Sequence, residues 1–206
     1  MYTQHDLHPH DLLWVARDDA LIIDGPLPAW FHRQRAATYP VVVRREAVAA
    51  EFVAVGIRGQ NRSQRLAAKV HCAEVIARLT PEEVLLKSIS KISQSSSLPA
   101  MQALDCLMDI DLTWIWGVTG SAGYQLASDV QVMNDNSDLD LVFRSPVERD
   151  FDQFVQLSQC LSRLPGRIDA QIETPNGAFA LNEWVRDRQT MLKTVHGPIM
   201  TTNPWQ

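Results

Sequence analysis

Residues 114–144 read WIWGVTGSAGYQLASDVQVMNDNSDLDLVFR, and this stretch decides the fold. An apolar run, Trp114–Val118, predicts a strand on which Trp114 and Trp116 share a face and serve as core. Gly117, Gly120 and Gly123 then make a loop able to approach a ligand closely. Ala122–Ala127 follows as the first turn or two of a helix whose N-terminus faces that loop. Ser128–Ser137 is polar and contains a bend, and Asp138–Phe143 predicts a second strand. Side chains alternate between the faces of a strand, so Asp138 and Asp140 point one way while Leu139 and Leu141 point into a core. Two like charges held side by side repel, and a divalent metal or a shared proton compensates such a pair.

Working outward, Ser145–Pro146–Val147–Glu148 fits a capping box with proline at the first helical position. The helix behind it should stop before Pro165–Gly166. In IDAQIE, Ile168, Ala170 and Ile172 alternate with Asp169, Gln171 and Glu173, a half-buried strand. Gly177 precedes a short helix containing Leu181, Trp184 and Val185, and MLKTV is a last strand. Upstream, VVVRR from Pro40 and FVAVGIRG read as strands, with Gly59–Gln60–Asn61 as a turn. Ser63 caps a helix expected to run to about Leu79, which places Arg62, Arg65 and Lys69 roughly on one side. Thr80–Pro81 starts a second helix, KISQSSSLPA is a polar break, and Ser97 caps a third helix reaching Met108. The organisation expected is a β-rich N-terminal domain over 1–75 and a larger α+β domain over 76–206.

The totals narrow the class. The chain has 206 residues, 46% of them hydrophobic, and a formal charge of −5. That length suits one large domain or two small ones. No apolar run reaches the roughly 20 residues that cross a bilayer, and MYTQHDLHPHD lacks a basic region followed by an apolar one, so neither a membrane nor a secretory route is expected. Cys72, Cys106 and Cys160 are few and widely spaced, which points to a reducing compartment rather than a disulfide scaffold or a cysteine-rich zinc site. His5, His8 and His10, without flanking cysteines, make a weak metal motif. Residues 33–69 carry eight Arg or Lys against Glu46 and Glu51, a local +6 in an acidic chain. Such a segment suggests a localised anion site rather than nucleic-acid binding, with a solvated arginine-rich face as the plainer reading.

Asp138, Asp140 and Asp169 can face one cleft from neighbouring strands. Hard carboxylate oxygens suit Mg²⁺, which is held by a few such groups with waters and substrate phosphates. Gly120–Ser121 offers backbone N–H groups and a hydroxyl at a helix N-terminus, a ready anion site. Asp169 is then a third ligand or the base that accepts a proton from an incoming hydroxyl. Arg58, Arg62 and Arg65, with Arg44 and Arg45 as weaker candidates, and Arg144 beyond the DLDL strand, are candidate phosphate contacts, since a guanidinium binds phosphate bidentately. For each arginine a surface ion pair is the competing reading.

The order strand–GS–helix–strand DLDL–helix–strand D resembles the polymerase-β-like nucleotidyltransferase pattern. The blocks GVTGSAGYQLAS, NDNSDLDLVFRSP, RIDAQIETPNGAFALNEW, HPHDLLWV, PVVVRR and VAVGIRG followed by RSQR resemble, more narrowly, phosphoribosyl-dephospho-CoA transferase, the holo-acyl-carrier-protein synthase of malonate decarboxylase. The resemblance covers nearly the whole chain, from the N-terminal HDLLW to the C-terminal region. It implies an α+β fold, a nucleotidyltransferase-type mixed sheet flanked by helices with a smaller β-rich N-terminal domain. It implies transfer of the 2′-(5″-phosphoribosyl)-3′-dephospho-CoA group from triphosphoribosyl-dephospho-CoA to a serine of the apo acyl-carrier subunit, releasing pyrophosphate, in a bacterial cytoplasm. Asp138 and Asp140 match the family's metal-binding catalytic carboxylates, and Gly120 and Ser121 its phosphate holders. Asp169 matches the third carboxylate of the superfamily by position and strand context. Two alternatives stand beside this. One is a nucleotidyltransferase using an ordinary nucleoside triphosphate on another hydroxyl acceptor. The other is a non-catalytic binding protein with a relic of the fold, which the presence of every acidic ligand disfavours.

Overall fold

Four apolar residues, Leu12–Val15 (β1), form a strand with three of its four positions buried. The run lacks alternation because both faces are covered: Leu13 and Val15 join the core, while Leu12 is buried and Trp14 half-buried on the opposite face. The strand lies between Val41–Val43 (β3) and Val75–Leu79 (β6), antiparallel to both. Leu21–Ile22 (β2), Phe52–Arg58 (β4) and Arg65–His71 (β5) complete a six-stranded sheet in the order β2-β5-β4-β3-β1-β6. Val53, Val55 and Ile57 of β4 meet Val70, Ala68 and Leu66 of β5 across the ladder, on the core face. The structure, a computed structural model, describes residues 1–31, 38–59, 64–92 and 97–206.

The helix expected from Ser63 to Leu79 is not what forms. Ser63 lies outside the described residues, and Arg65–His71 and Val75–Leu79 are strands. Leu66 and Val70, four apart, share a helix face, but they equally share a strand face. Pairing along the whole of β4 overrides a helix propensity that rests on Ala67, Ala68 and Lys69. Gly59 N–H donates to the Gln64 carbonyl at 2.8 Å, closing the base of the hairpin whose tip falls outside the described residues. Cys72 is buried against this core, which pushes its thiol up from the ordinary value. Cys106 is exposed and Cys160 half-buried, all three as free thiols.

The chain divides into two compact units, Met1–Thr80 and Pro81–Gln206. The division follows β6 rather than falling at 75/76, because Val75–Leu79 is hydrogen-bonded to β1.

The second unit is built on a mixed sheet. Its strands are Ile115–Val118 (β7), Leu139–Arg144 (β8), Ile168–Thr174 (β9), Gly177–Ala180 (β10), Thr190–Thr194 (β11) and Gly197–Thr201 (β12), in the order β12-β11-β10-β9-β8-β7. Only β8 and β9 run parallel; the other neighbours are antiparallel. The helices are Pro81–Lys87 (α1), Ile89–Ile92 (α2), Pro99–Met108 (α3), Gly120–Ser128 (α4), Phe151–Leu161 (α5) and Leu181–Asp187 (α6). None among the described residues is long and apolar enough to cross a membrane.

One face of this sheet carries Leu139, Leu141 and Phe143 with Ala170 and Ile172, all buried. Trp114, Phe154, Phe179, Trp184 and Trp205 extend that core through edge and tilted ring contacts 5.4–6.3 Å between centroids. On the other face α1 lies directly on β7. A Cβ at Gly117 would strike the backbone of Pro81–Glu82, so this glycine sets how closely the helix approaches. The capping box at Ser145–Glu148 is not a helix start. Ser145 is fully buried, its N–H donates to the Glu173 carbonyl, its hydroxyl donates to the Val147 carbonyl, and its own carbonyl accepts from the Trp205 indole. The helix begins at Phe151, with Asp150 as cap. Leu98, not Ser97, is the residue preceding α3. β12 was not foreseen. It is an edge strand, where Pro198 leaves no inner hydrogen bond unmade.

Candidate functional site

The elements around the acidic motif converge on one end of the second sheet. β7 runs antiparallel to β8, so its C-terminus arrives where β8 begins: Val118 opposes Leu141, and Thr119 N–H donates to the Asp140 carbonyl at 2.9 Å. The chain then turns at Gly120, whose φ of +60° is in the left-handed region. A Cβ there would overlap the Asp140 carboxylate. Glycine is required twice over, by backbone conformation and by the carboxylate packed against it. Helix α4 starts at this point. Its first internal hydrogen bond runs from Gly123 N–H to the Thr119 carbonyl at 2.9 Å. The amides of the first turn therefore face outward beside Asp140, at the positive end of the helix dipole.

Asp140 pairs in parallel register with Asp169, so the two side chains leave the same face of neighbouring strands. Strands lie about 4.8 Å apart, a separation that lets two carboxylates share one small cation. Asp169 is exposed and Asp140 half-buried. Asp138 lies one residue ahead of β8, at the end of a polar turn ordered by its own side chains. There Ser137 N–H donates to the Asn134 carbonyl, Asn134 N–H to the Ser137 hydroxyl, and Asn136 N–H to Asn134 Oδ1. Gln125 of α4 pins the preceding loop by accepting from Val132 and Met133 N–H. The side chain of Asp138 is taken by Arg167, Nη2 to Oδ2 at 2.6 Å. That bond raises the guanidinium above its ordinary value. Among the described residues no group of three or more Asp, Glu, His or Cys side chains is gathered as a metal cage. The donor set still fits a hard divalent cation: all-oxygen carboxylates, two in cross-strand register, beside a glycine that keeps the approach open.

The arginines fall out differently. Arg144 lies at the far end of β8 from Asp140, about 13 Å along the strand at roughly 3.3 Å per residue. It is bound to Glu82 of α1, Nε to Oε1 at 2.7 Å and Nη2 to Oε2 at 3.5 Å. The structure does not bring it to the carboxylates. Both partners are only about a quarter exposed or less, so the pair ties α1 to the sheet. Arg144→Ala is expected to cost roughly 1–2 kcal/mol of stability, between the ranges for exposed and buried pairs. Thermal unfolding with and without Mg²⁺ checks this: the drop in Tm should be the same in both. Arg58 and Arg65 oppose each other across the β4–β5 hairpin, and Lys69 opposes Ala54 on the same face. They share a strand face rather than a helix side, and Arg62 lies outside the described residues. Arg44 forms an ion pair with Glu46 at 2.9 Å. Arg167 was missed in the sequence. The available signal was its place two residues before Asp169, on the same strand face.

Family models match both halves of the chain: phosphoribosyl-dephospho-CoA transferase MdcG N-terminal domain over residues 8–81, and MdcG C-terminal domain over 84–204. A phosphoribosyl-dephospho-CoA transferase of Klebsiella pneumoniae (strain 342) is 41% identical over 197 residues, covering 96% of this chain and 95% of the relative. The proteins of the same name from Pseudomonas syringae pv. tomato and Azotobacter vinelandii are each 39% identical, covering 96% of this chain and 92% and 94% of theirs. No solved structure matches. With the two domain models matching residues 8–81 and 84–204 and relatives aligned over almost their full lengths, the chain belongs to the phosphoribosyl-dephospho-CoA transferase (MdcG) family.

Proposed function

We propose that the end of the second sheet where Gly120, Asp138, Asp140 and Asp169 meet is where this chain carries out its family's reaction. The chain is a transferase of the phosphoribosyl-dephospho-CoA group. The donor in this reading is the 5″-triphosphate, triphosphoribosyl-dephospho-CoA. The acceptor is a serine hydroxyl of the apo acyl-carrier subunit of malonate decarboxylase, in the cytoplasm. The serine oxygen bonds to the α-phosphorus as the bond to pyrophosphate breaks.

The observation that carries the assignment is the overlap a Cβ at 120 would make with Asp140. It means that the anion-binding helix start and the catalytic carboxylate touch, so one polyphosphate can meet both. The first-turn amides of α4 and the Ser121 hydroxyl hold the β- and γ-phosphates. Asp138 and Asp140 would hold Mg²⁺, with Asp169 as a further ligand or as the base. When bound, the ion supplies neutralisation of the triphosphate and of the leaving pyrophosphate. Asp169 is the exposed member of the set and opens to solvent, which suits it to take the proton from the incoming serine. Arg58, Arg62 and Arg65 of the basic segment are proposed as contacts for an anionic partner, donor or carrier.

The test is intact mass spectrometry of the apo carrier after incubation with authentic donor and Mg²⁺, with excess EDTA and with ATP in place of donor as controls. A single mass addition of the prosthetic group with donor and Mg²⁺ alone supports the reading. Modification with ATP in place of donor would favour the ordinary nucleotidyltransferase instead. No addition on folded carrier would remove the assignment of acceptor and donor.

A further inference from the structure

We propose that Arg167 is a displaceable latch on the metal site: it occupies Asp138 until a divalent cation takes that carboxylate, and its released guanidinium then binds the polyphosphate of the donor. This rests on the reading of Asp138 and Asp140 as cation ligands. Three features carry it. The Arg167 Nη2–Asp138 Oδ2 bond of 2.6 Å places a positive charge where a cation ligand is needed. The backbone fixes that proximity, since Leu139 N–H donates to the Arg167 carbonyl at 2.9 Å and Asp140 pairs with Asp169 two residues on. The side chain itself is 79% exposed, against 18% for Asp138. Its hold is therefore of the weak, solvent-screened kind that a divalent ion can displace.

The charge balance supplies the second half. Three carboxylates and one guanidinium leave this end of the sheet net negative, which repels a triphosphate. A divalent ion reverses this only in part. A guanidinium set free beside it adds a bidentate phosphate donor on the side away from α4. Arg144 cannot do so from the far end of β8, where Glu82 holds it. Loading of the cation and recognition of the polyphosphate become one event: apo protein presents a closed carboxylate and a neutralised arginine, and the cation exposes both at once.

The experiment uses Mn²⁺ as cation probe, followed by electron paramagnetic resonance of the free ion, and pyrophosphate as polyphosphate probe, followed by calorimetry at saturating Mn²⁺. Full-length parent, Arg167→Ala, Arg167→Lys and Asp140→Asn proteins are compared, each with its Tm. Without phosphate, Arg167→Ala should bind Mn²⁺ about three- to fivefold more tightly than the parent, the gain expected from removing an exposed competing ion pair. With Mn²⁺ present it should bind pyrophosphate about tenfold more weakly, and Arg167→Lys should fall between the two. If Asp140→Asn loses Mn²⁺ while Arg167→Ala binds it no more tightly than the parent, the latch is overturned and the carboxylate site stands. Unchanged pyrophosphate affinity in Arg167→Ala also overturns it. If Asp140→Asn binds Mn²⁺ like the parent, the carboxylate reading itself falls, and the latch with it.

Discussion

Gly120→Ala is expected to lower transfer about 100- to 1,000-fold while the protein still folds. Two costs act together. Alanine at φ +60° is disfavoured by roughly 1–2 kcal/mol. Its Cβ would also occupy the volume of the Asp140 carboxylate, so either the helix start or the aspartate must move. Neither movement disturbs the apolar face of the sheet, where Leu139, Leu141 and Phe143 remain packed. The stability loss should accordingly stay near the backbone cost, a few degrees in Tm. The chemistry is far less tolerant, because a displacement of about 1 Å at a catalytic group costs on the order of 10² in rate. Steady-state transfer rates and thermal unfolding, measured on the same preparation, check both halves. A variant with parent activity would mean that the helix start and Asp140 do not act as a unit.

Phe143→Ala should be the most destabilising single truncation in the second unit. Phe143 is fully buried near the C-terminal end of β8, with Trp114 at 6.0 Å edge-on and Trp116 stacked at 6.2 Å between ring centroids. Removing a buried aromatic ring leaves a cavity its neighbours fill only in part, at a cost of about 3–5 kcal/mol. Domains are commonly stable by only about 5–15 kcal/mol, so Tm should fall by roughly 10 °C or more. β8 also carries Asp140, three residues away on the opposite face. Activity should therefore decline along the unfolding curve and recover on cooling, unlike the temperature-independent loss in Gly120→Ala. Urea denaturation of the variant, followed by tryptophan fluorescence, gives the energy directly.

These two positions also show what a sequence can and cannot disclose. The strand and turn that carry the candidate site residues were legible because their constraints are local and periodic. Asp138 and Asp140 alternate with buried Leu139 and Leu141, and Gly120 is needed by a turn readable within a few residues. The helix starting at Pro81 and the IDAQIE strand follow from the same kind of signal, whereas the mixed sheet of the second unit was expected from the family resemblance. What was misread depends on partners distant in the chain. Leu66 and Val70 suit a helix or a strand, and only pairing with β4 decides. Ser145 has the local sequence of a cap, yet burial beneath Trp205, sixty residues on, takes its hydrogen bonds. β1 was passed over because a strand covered on both sides loses the alternation that would announce it. Arg144 was singled out because it follows DLDL in sequence order, and Arg167 was not considered. The parallel register of β8 with β9 reverses that order, bringing the arginine 29 residues away into contact and leaving the near one at the other end of the strand.

The central claim is that this end of the sheet performs the transfer. Its most direct test is the intact mass of apo carrier after equal exposure, with donor and Mg²⁺, to parent protein and to Asp140→Asn. The substitution keeps the size and shape of the side chain while removing its charge and turning one acceptor oxygen into an amide donor, so the fold should be retained. The account predicts a single addition on one serine with the parent and a rate about a thousandfold lower with the variant, the scale of losing a metal-holding charge. Equal modification by both proteins would contradict it and move the active site elsewhere in the chain.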